Sequence, residues 1–473
     1  MMSDPSTKDL SFLPSIKSIA VIGASKKRNY FFLRTFHDSF KGRLYAIKPG
    51  AEKIDEFPDV DVYERVSDIP SNEPVDFVFI EIPREHVVEV IKDCGKKGVK
   101  LAAIFSAGFN DAGTEEGRQL QIELLRAVSE AKTIRIIGPN GMGLYYPRLG
   151  IRWRVSLPLD HGSVGVMAQS GGLCNLMIHG LTSEGMPISK GFSIGNAADI
   201  NAIDVINYFK DDPETSIIVV YLEGLPPGRG TQLVKILQGC KKPVIVVKGG
   251  KTAVGSKAVK SHTATLAGDV AIWEAAMHQA GVMLVDTFED ILGVGKFVAM
   301  IGQKPIKNAC LLTLSGGYGV VCSDVLASHD IRLPEFSITI KESLAHILSA
   351  SGTSLNNPVD VGSFIYDVDK LEAILHAVLN DPAIDGVIFE IVPIYIAAQM
   401  RGDPLDVALP AMLRRIKQQH DKPVVAIIED IGYDAIRQGL KRSLRELNIP
   451  VYPDIAQIAR TIRFINKIHI MAK

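Results

Sequence analysis

The sequence predicts an α/β protein built on several doubly wound parallel sheets. Three observations carry that prediction. Apolar runs of about strand length recur along the chain and end in Gly, Ser, Asn or Glu, as buried parallel strands do. Between them lie stretches long enough for a helix, such as Glu85 to Lys97, and strand–helix alternation builds parallel sheets. One strand–Ser-Gly-Gly–helix unit also occurs twice, at Met167 to Gly172 and Ala309 to Gly319, in blocks of about equal size. That repetition indicates a domain duplication.

At 473 residues the chain exceeds one ordinary domain. Hydrophobic residues make up 47% and charged residues 22%, and the net charge is −1. No field suits nucleic acid or an anionic membrane. The five cysteines are scattered, without metal-binding spacing, which predicts a reducing compartment. Met1 to Leu13 is polar and mixed in charge, unlike a signal peptide, and the apolar runs fall far short of a membrane span. A cytoplasmic protein is expected.

In order, Ile19 to Ser25 reads as a buried strand feeding a phosphate-cradling turn, with Lys26, Lys27 and Arg28 next. Leu44 to Gly50, Phe77 to Pro83, Leu101 to Gly108 and Ile134 to Asn140 are four further strands. Small or polar residues at their C-termini mark a ligand crevice at that edge. The first turn is not a dinucleotide fingerprint: after Gly23 it runs Ala-Ser-Lys-Lys-Arg, without the further glycines that motif needs. Pro147 to His161 reads as a linker. Beyond it, Ser163 to Gly172 is a strand running into Ser170-Gly171-Gly172, a hydroxyl and two glycines at a helix start, suited to an anion. Gly191 to Asp199 makes a second such turn, Ile217 to Gly224 is a strand with an acid, Glu223, at its end, and Val244 to Gly250 precedes the histidine stretch. In the third block, Asn357-Pro358-Val359-Asp360 is a turn, and Gly386 to Pro393 and Pro423 to Glu429 are strands.

Lys257 to Gly268 sets His262 among Ser, Thr and small residues, in a loop after a strand and ahead of the amphipathic run Ala271 to Met277. A loop histidine is most often simply solvated. Near a helix start, however, one can carry negative charge for a while, so His262 is a candidate phosphoryl acceptor. Ala258, Ser261, Thr263, Ala264 and Gly268 point to a mobile loop. Glu223 either caps a helix or faces water, or it orients His262 and raises the nucleophilicity of its other nitrogen. Both readings stay open. The second block's partner copy has no equivalent histidine loop: Lys341 to Asn357 holds only His346, in a helical pattern, and His376 and His420 read as helix or surface residues.

The order of motifs resembles the α subunit of NDP-forming acyl-CoA synthetases, relatives of succinyl-CoA synthetase. The match is carried by Ile22-Gly23-Ala24-Ser25, Ser106-Ala107-Gly108-Phe109, Gly138-Pro139-Asn140, Gln169-Ser170-Gly171-Gly172, Ser193 to Asp199, Tyr221-Leu222-Glu223-Gly224, Ser261-His262-Thr263, Ser315 to Gly319 and Asn357 to Asp360. The resemblance implies a Rossmann-like CoA-binding domain over residues 1–150. Two flavodoxin-like doubly wound domains follow, 151–304 with the phosphohistidine loop and 305–473. It implies interconversion of acyl-CoA, ADP and phosphate with carboxylic acid, CoA and ATP, through an acyl phosphate and a phosphohistidine at His262, supported by Glu223. Ser170, Gly171, Gly172, Gly195 and Asn196 would hold the phosphate. Gly23, Ala24, Ser25, Lys26, Lys48, Ile82, Pro83, Ser106, Ala107 and Asn140 would hold CoA. No ATP-grasp domain is legible, so nucleotide and Mg2+ would bind mainly on a partner β subunit in a heterotetramer or similar assembly, and no metal site is expected on this chain. A non-catalytic CoA-binding or regulatory subunit of the same fold is the alternative. The sequence departs from the family pattern in three places: Ala264 after Ser-His-Thr, Lys27 to Phe32 in the first turn, and Pro226-Pro227-Gly228-Arg229 after the Glu-Gly, where only Arg229 stands in for the usual Arg.

Overall fold

The computed structural model describes residues 8–263, 269–348, 353–397 and 404–471. Its first sheet has the order β3-β2-β1-β4-β5-β6. The strands are β1 (Ser18–Ile22), β2 (Arg43–Ile47), β3 (Asp61–Tyr63), β4 (Phe77–Ile80), β5 (Leu101–Ile104) and β6 (Arg135–Ile137), and every pairing is parallel. All residues of β1, β4 and β5 are buried, which is why these strands are continuous apolar runs. The edge strand β3 carries an Asp and has no fully buried residue, so no apolar run announces it.

The second sheet has the order β12-β11-β10-β8-β9-β7, from β7 (Gly143–Tyr145), β8 (His161–Ala168), β9 (Ile188–Ser193), β10 (Ile217–Leu222), β11 (Val244–Lys248) and β12 (Met283–Val285). β7 pairs antiparallel with β9, so the chain enters this sheet before the expected linker. Residues 147–161 are not a linker. Ile151, Trp153 and Leu157 are buried, Tyr146 and Ile151 form an antiparallel bridge, and the Trp153 indole N–H donates to Asn175 at 2.7 Å. The prolines and glycines there do make turns, but the aromatic area between them has to be buried.

A buried ion network locks the second sheet. Lys190 is fully buried on β9 and donates to Asp212 at 2.9 Å and Glu214 at 2.6 Å. The Tyr146 hydroxyl adds a bond to Glu214 at 2.8 Å, and Arg148 pairs with the same carboxylate.

The first two sheets lie in one compact unit, residues 1–288, and the third in another, residues 289–473. Within the first unit, Asn196 N–H donates to Pro139 O at 2.9 Å and Ala198 N–H to Gly138 O at 3.0 Å. This joins the loop after β9 to the loop after β6. Gly195 is required there: its φ is +51°, and a Cβ would stand 2.3 Å from Asn140 O.

The third sheet has the order β14-β13-β15-β16-β17, from β13 (Ala309–Thr313), β14 (Val359–Asp360), β15 (Gly386–Glu390), β16 (Val424–Ile427) and β17 (Val451–Tyr452). It repeats the order of β12-β11-β10-β8-β9, which makes the duplication a matter of topology as well as motif. The connection equivalent to the histidine stretch is therefore 428–450, between β16 and β17, and not Lys341 to Asn357. It holds one helix, Asp434–Glu446, and no histidine.

One expectation is corrected by the backbone. His262 does not sit in a loop: the helix Ala253–Thr263 runs through it. The Thr252 hydroxyl starts that helix by accepting from Gly255 N–H at 3.0 Å, and the small residues read as loop-forming, Ala258 and Ser261, are compatible with helix. Residues 264–268, including Ala264 and Gly268, and the side chain of His262 lie outside what is described.

Candidate functional site

The C-terminal ends of β1, β2, β4 and β5 open into a cleft of about 1640 Å³. Gly23, Ala24, Ser25, Lys26, Lys48, Ile82, Pro83, Ser106, Ala107 and Asn140 all line it. Gly23 allows the first turn to close: its φ is +94°, and a Cβ there would stand 2.1 Å from Glu81 O. Of the three cations after that turn, Arg28 pairs with Glu81. Burial pushes the Glu81 carboxyl up, and Arg28 opposes the shift. Arg84, which sequence reasoning passed over, reaches across the cleft wall to Gly108 O at 2.6 Å.

Gln169, Ser170, Gly171 and Gly172 line the same cleft from the second sheet. Ser170 caps the helix Gly171–Ser183, its hydroxyl accepting from Leu173 N–H. The first backbone N–H groups of a helix have no partner within it, and the helix dipole favours an anion there. A Cβ on Gly172 would meet nothing within 4 Å, so that end is open. Gly195 and Asn196 do not line the cleft. The Asn196 amide donates to Asp111 at 2.7 Å, and Asp111 also accepts from Gly108 and Phe109 N–H at 2.8 and 3.0 Å. They hold the cleft's strand ends together from behind. Asp111 carries no local sequence signal for this, because its partner lies 85 positions away.

Glu223 follows β10 and is buried. The Gln169 side chain, a polar residue closing an apolar strand, accepts from the N–H groups of Glu223 and Gly224. The Tyr221 hydroxyl donates to the Glu223 carboxylate at 3.1 Å, and burial, with that carboxylate beside it, pushes the Tyr221 phenol up. Lys248 donates to Glu223 O at 2.7 Å. Burial lowers the Lys248 ammonium to about 8, against the attraction of Glu223. The helix Ala253–Thr263, which carries His262, lies against the turn Asn110–Ala112 beside the Ser106-to-Phe109 loop. Arg229 binds Gln232 at 2.6 Å. Among the described residues no three His, Cys, Asp or Glu side chains gather to hold a metal ion.

The strand ends of the first sheet and an open helix N-terminus of the second share one cleft, and the topology of the second sheet is repeated in the third. Residues 17–147 match the CoA binding domain family, and residues 161–298 the succinyl-CoA ligase like flavodoxin domain. The chain is 31% identical over 453 residues to the α subunit of an ADP-forming acetate–CoA ligase II of Pyrococcus furiosus, covering 94% of each. It is 34% identical over 357 residues to an ADP-forming acetate–CoA ligase of Methanocaldococcus jannaschii, of which it spans about half, 49%. A solved acetyl-coenzyme A synthetase 1 of Ca. Korarchaeum cryptofilum, in complex with phosphate and ADP, superposes with a TM-score of 0.82 at 28% identity, covering 98% of this chain and 97% of that one. The chain belongs to the ADP-forming acyl-CoA synthetase family, whose members are acid–CoA ligases.

Proposed function

We propose that this chain is the α subunit of an ADP-forming acyl-CoA synthetase that works through His262. One observation carries the reading: the strand ends assigned to CoA and the Ser170-Gly171-Gly172 helix start share one cleft. A thioester carbonyl and a phosphate can therefore meet there. Phosphate oxygen attacks the acyl carbon, the C–S bond breaks, and CoA leaves as acyl phosphate forms. A ring nitrogen of His262 then takes the phosphoryl group and the carboxylate leaves. In the last step ADP oxygen attacks that phosphorus, the P–N bond breaks, and ATP forms with His262 restored. Positioning and charge neutralisation supply most of the rate in such transfers. Ser170, Gly171 and Gly172 neutralise the acyl phosphate, and Gly195 and Asn196 buttress it through the loops they tie. Glu223, fixed by Gln169 and Tyr221, orients His262 and stabilises its charged form.

Nucleotide and Mg2+ are assigned to an ATP-grasp β subunit in a heterotetramer or similar assembly. The three sheets support a division into domains at 1–150, 151–304 and 305–473, with β7 as a strand lent by the first segment to the second. The five free cysteines fit a cytoplasmic setting, and among the described residues no helix is long and apolar enough to cross a membrane.

The test is to mix the chain with a matching β subunit and γ-labelled ATP. Acid-labile, base-stable label is expected on the wild type and not on His262→Ala. Label that survives the substitution sinks the mechanism.

A further inference from the structure

Beside the helix start lies a second, smaller pocket of about 270 Å³, lined by Arg28, Phe31, Phe32, Glu81, Phe105, Met142, Trp153 and Arg154. Four of these, Arg28, Glu81, Phe105 and Met142, also line the large cleft, so the two cavities share a wall. Met142 is the side chain between the pocket and the helix start: its Cγ stands 3.1 Å from where a Cβ on Gly171 would be. The walls are aromatic. Phe32 packs on Phe105 with ring centroids 5.1 Å apart, and Phe31 meets Phe32 edge-on at 5.0 Å. Trp153 is buried and pinned to Asn175. Phe31 is 43% exposed although it is a large apolar ring.

We infer that this pocket seats the acyl side chain and is built for a bulky aromatic carboxylic acid. The inference rests on reading the cleft as the CoA and acyl-phosphate site. With the reacting carboxyl at Ser170-Gly171-Gly172, the side chain of the acid passes Met142 and enters between Phe31, Phe105 and Trp153. Size argues the class. A water molecule has about 30 Å³ of liquid volume, and the methyl group of acetate is of that order, so acetate would leave most of this pocket empty. One aromatic ring with a short linker fills it and meets rings at offset and edge-on geometry. Met142 supplies a flexible, polarisable wall that adapts to a ring. Charge argues the same way: Arg28 and Glu81 neutralise each other in the wall, and only Arg154, at the exposed rim, remains for a polar substituent. Five of the eight lining residues come from two stretches, Arg28, Phe31 and Phe32 of the divergent first turn and Trp153 and Arg154 of the segment that reads as a linker.

Titration calorimetry of the full chain with CoA, acetyl-CoA, succinyl-CoA and 3-phenylpropionyl-CoA tests it. The aromatic thioester is expected to bind at least about 10-fold more tightly than acetyl-CoA, since even one methylene in a fitted pocket discriminates by about 10-fold or more. Phe31→Ala, a change at an exposed ring that does not line the large cleft, is expected to remove most of that preference while leaving the affinity for CoA itself unchanged. Equal affinity for acetyl- and phenylpropionyl-CoA, with CoA still bound, overturns this inference and leaves the cleft assignment standing. Tightest binding of succinyl-CoA overturns it in favour of a dicarboxylate at Arg154. Failure to bind CoA at all overturns the reading of the cleft on which it rests.

Discussion

The two Ser-Gly-Gly units have the same topology and different chemistry. In the first, Ser170 caps its helix and Ser193, at the end of β9, puts a neutral hydroxyl 3.7 Å from where a Cβ on Gly171 would be. In the second, Ser315 makes no capping bond, and the residue in the same register, Asp360 of β14, puts a carboxylate oxygen 3.1 Å from where a Cβ on Gly316 would be. A carboxylate at a helix N-terminus already satisfies the dipole that would attract a phosphate. The interiors differ as well. The first copy buries the Lys190–Asp212–Glu214 network. The second buries Glu390 with only hydroxyl and amide donors, Thr313 Oγ1 and Leu314 N–H. Duplicated topology fixes where a site can form, and single residues at strand ends decide whether one does.

The largest test of this contrast is at the histidines. His262→Ala is expected to lower the coupled rate by at least on the order of 10³-fold, as loss of a covalent carrier does. His346→Ala in the second copy leaves the rate within twofold in the same assay. A comparable loss from both would dissolve the distinction.

The next test is structural. Lys190→Met leaves the buried Asp212 carboxylate without its cation, while Glu214 keeps Arg148, and is expected to cost about 3 kcal/mol, read as a lower urea midpoint for the first unit.

The third concerns acid. Burial pushes the Glu214 carboxyl up, but bonds from Lys190, Tyr146 and Arg148 outweigh it and bring it from 4.5 to about 2. Its folded pKa is depressed, so the stabilisation is fully present above about 4.5 and is lost as pH falls through about 2. A 2.5-unit shift corresponds to about 3 kcal/mol. Burial raises Glu390, so its effect has the opposite sign, opposing folding as pH rises through its folded pKa. In denaturant titrations across acid pH, the advantage of wild type over Glu214→Gln should shrink on acidification, and Glu390→Gln should show no such loss. A pH-independent gap for Glu214→Gln would contradict the assignment.

The smallest effect is at the caps themselves. Ser170→Ala is expected to cost about 1 kcal/mol, and Ser315→Ala less than about 0.5 kcal/mol, because only the first hydroxyl caps. Thermal denaturation of both variants distinguishes them, and equal losses would mean that the second serine has a bond of its own.

Legibility along the chain followed burial. Strands buried on all residues, such as β1, β4 and β5, announce themselves as apolar runs, and most of the residues assigned to CoA lie at their ends, Lys48 and Asn140 following the partly exposed β2 and β6. The half-exposed β3 carried no such signal. The linker reading of Pro147 to His161 fails because prolines and glycines are local signals, whereas the burial of Trp153 depends on Asn175 and the second sheet. The sequence around His262 reads as a loop because small residues suit both loop and helix, and the helix Ala253–Thr263 with its capped start at Thr252 decides between them.

The sequence by itself determined the fold class, the duplication and the strand ends that line the cleft, because these depend on periodicity and on glycine conformation, both local properties. Only the tertiary structure decided that β7 crosses into the second sheet, that Asp111 and Gln169 anchor the site, that Gly195 and Asn196 brace the cleft from behind, and that Phe31, Phe105 and Trp153 meet beside the helix start. Each of those is a contact between residues far apart in the chain, and no local pattern encodes which distant partner a side chain will find.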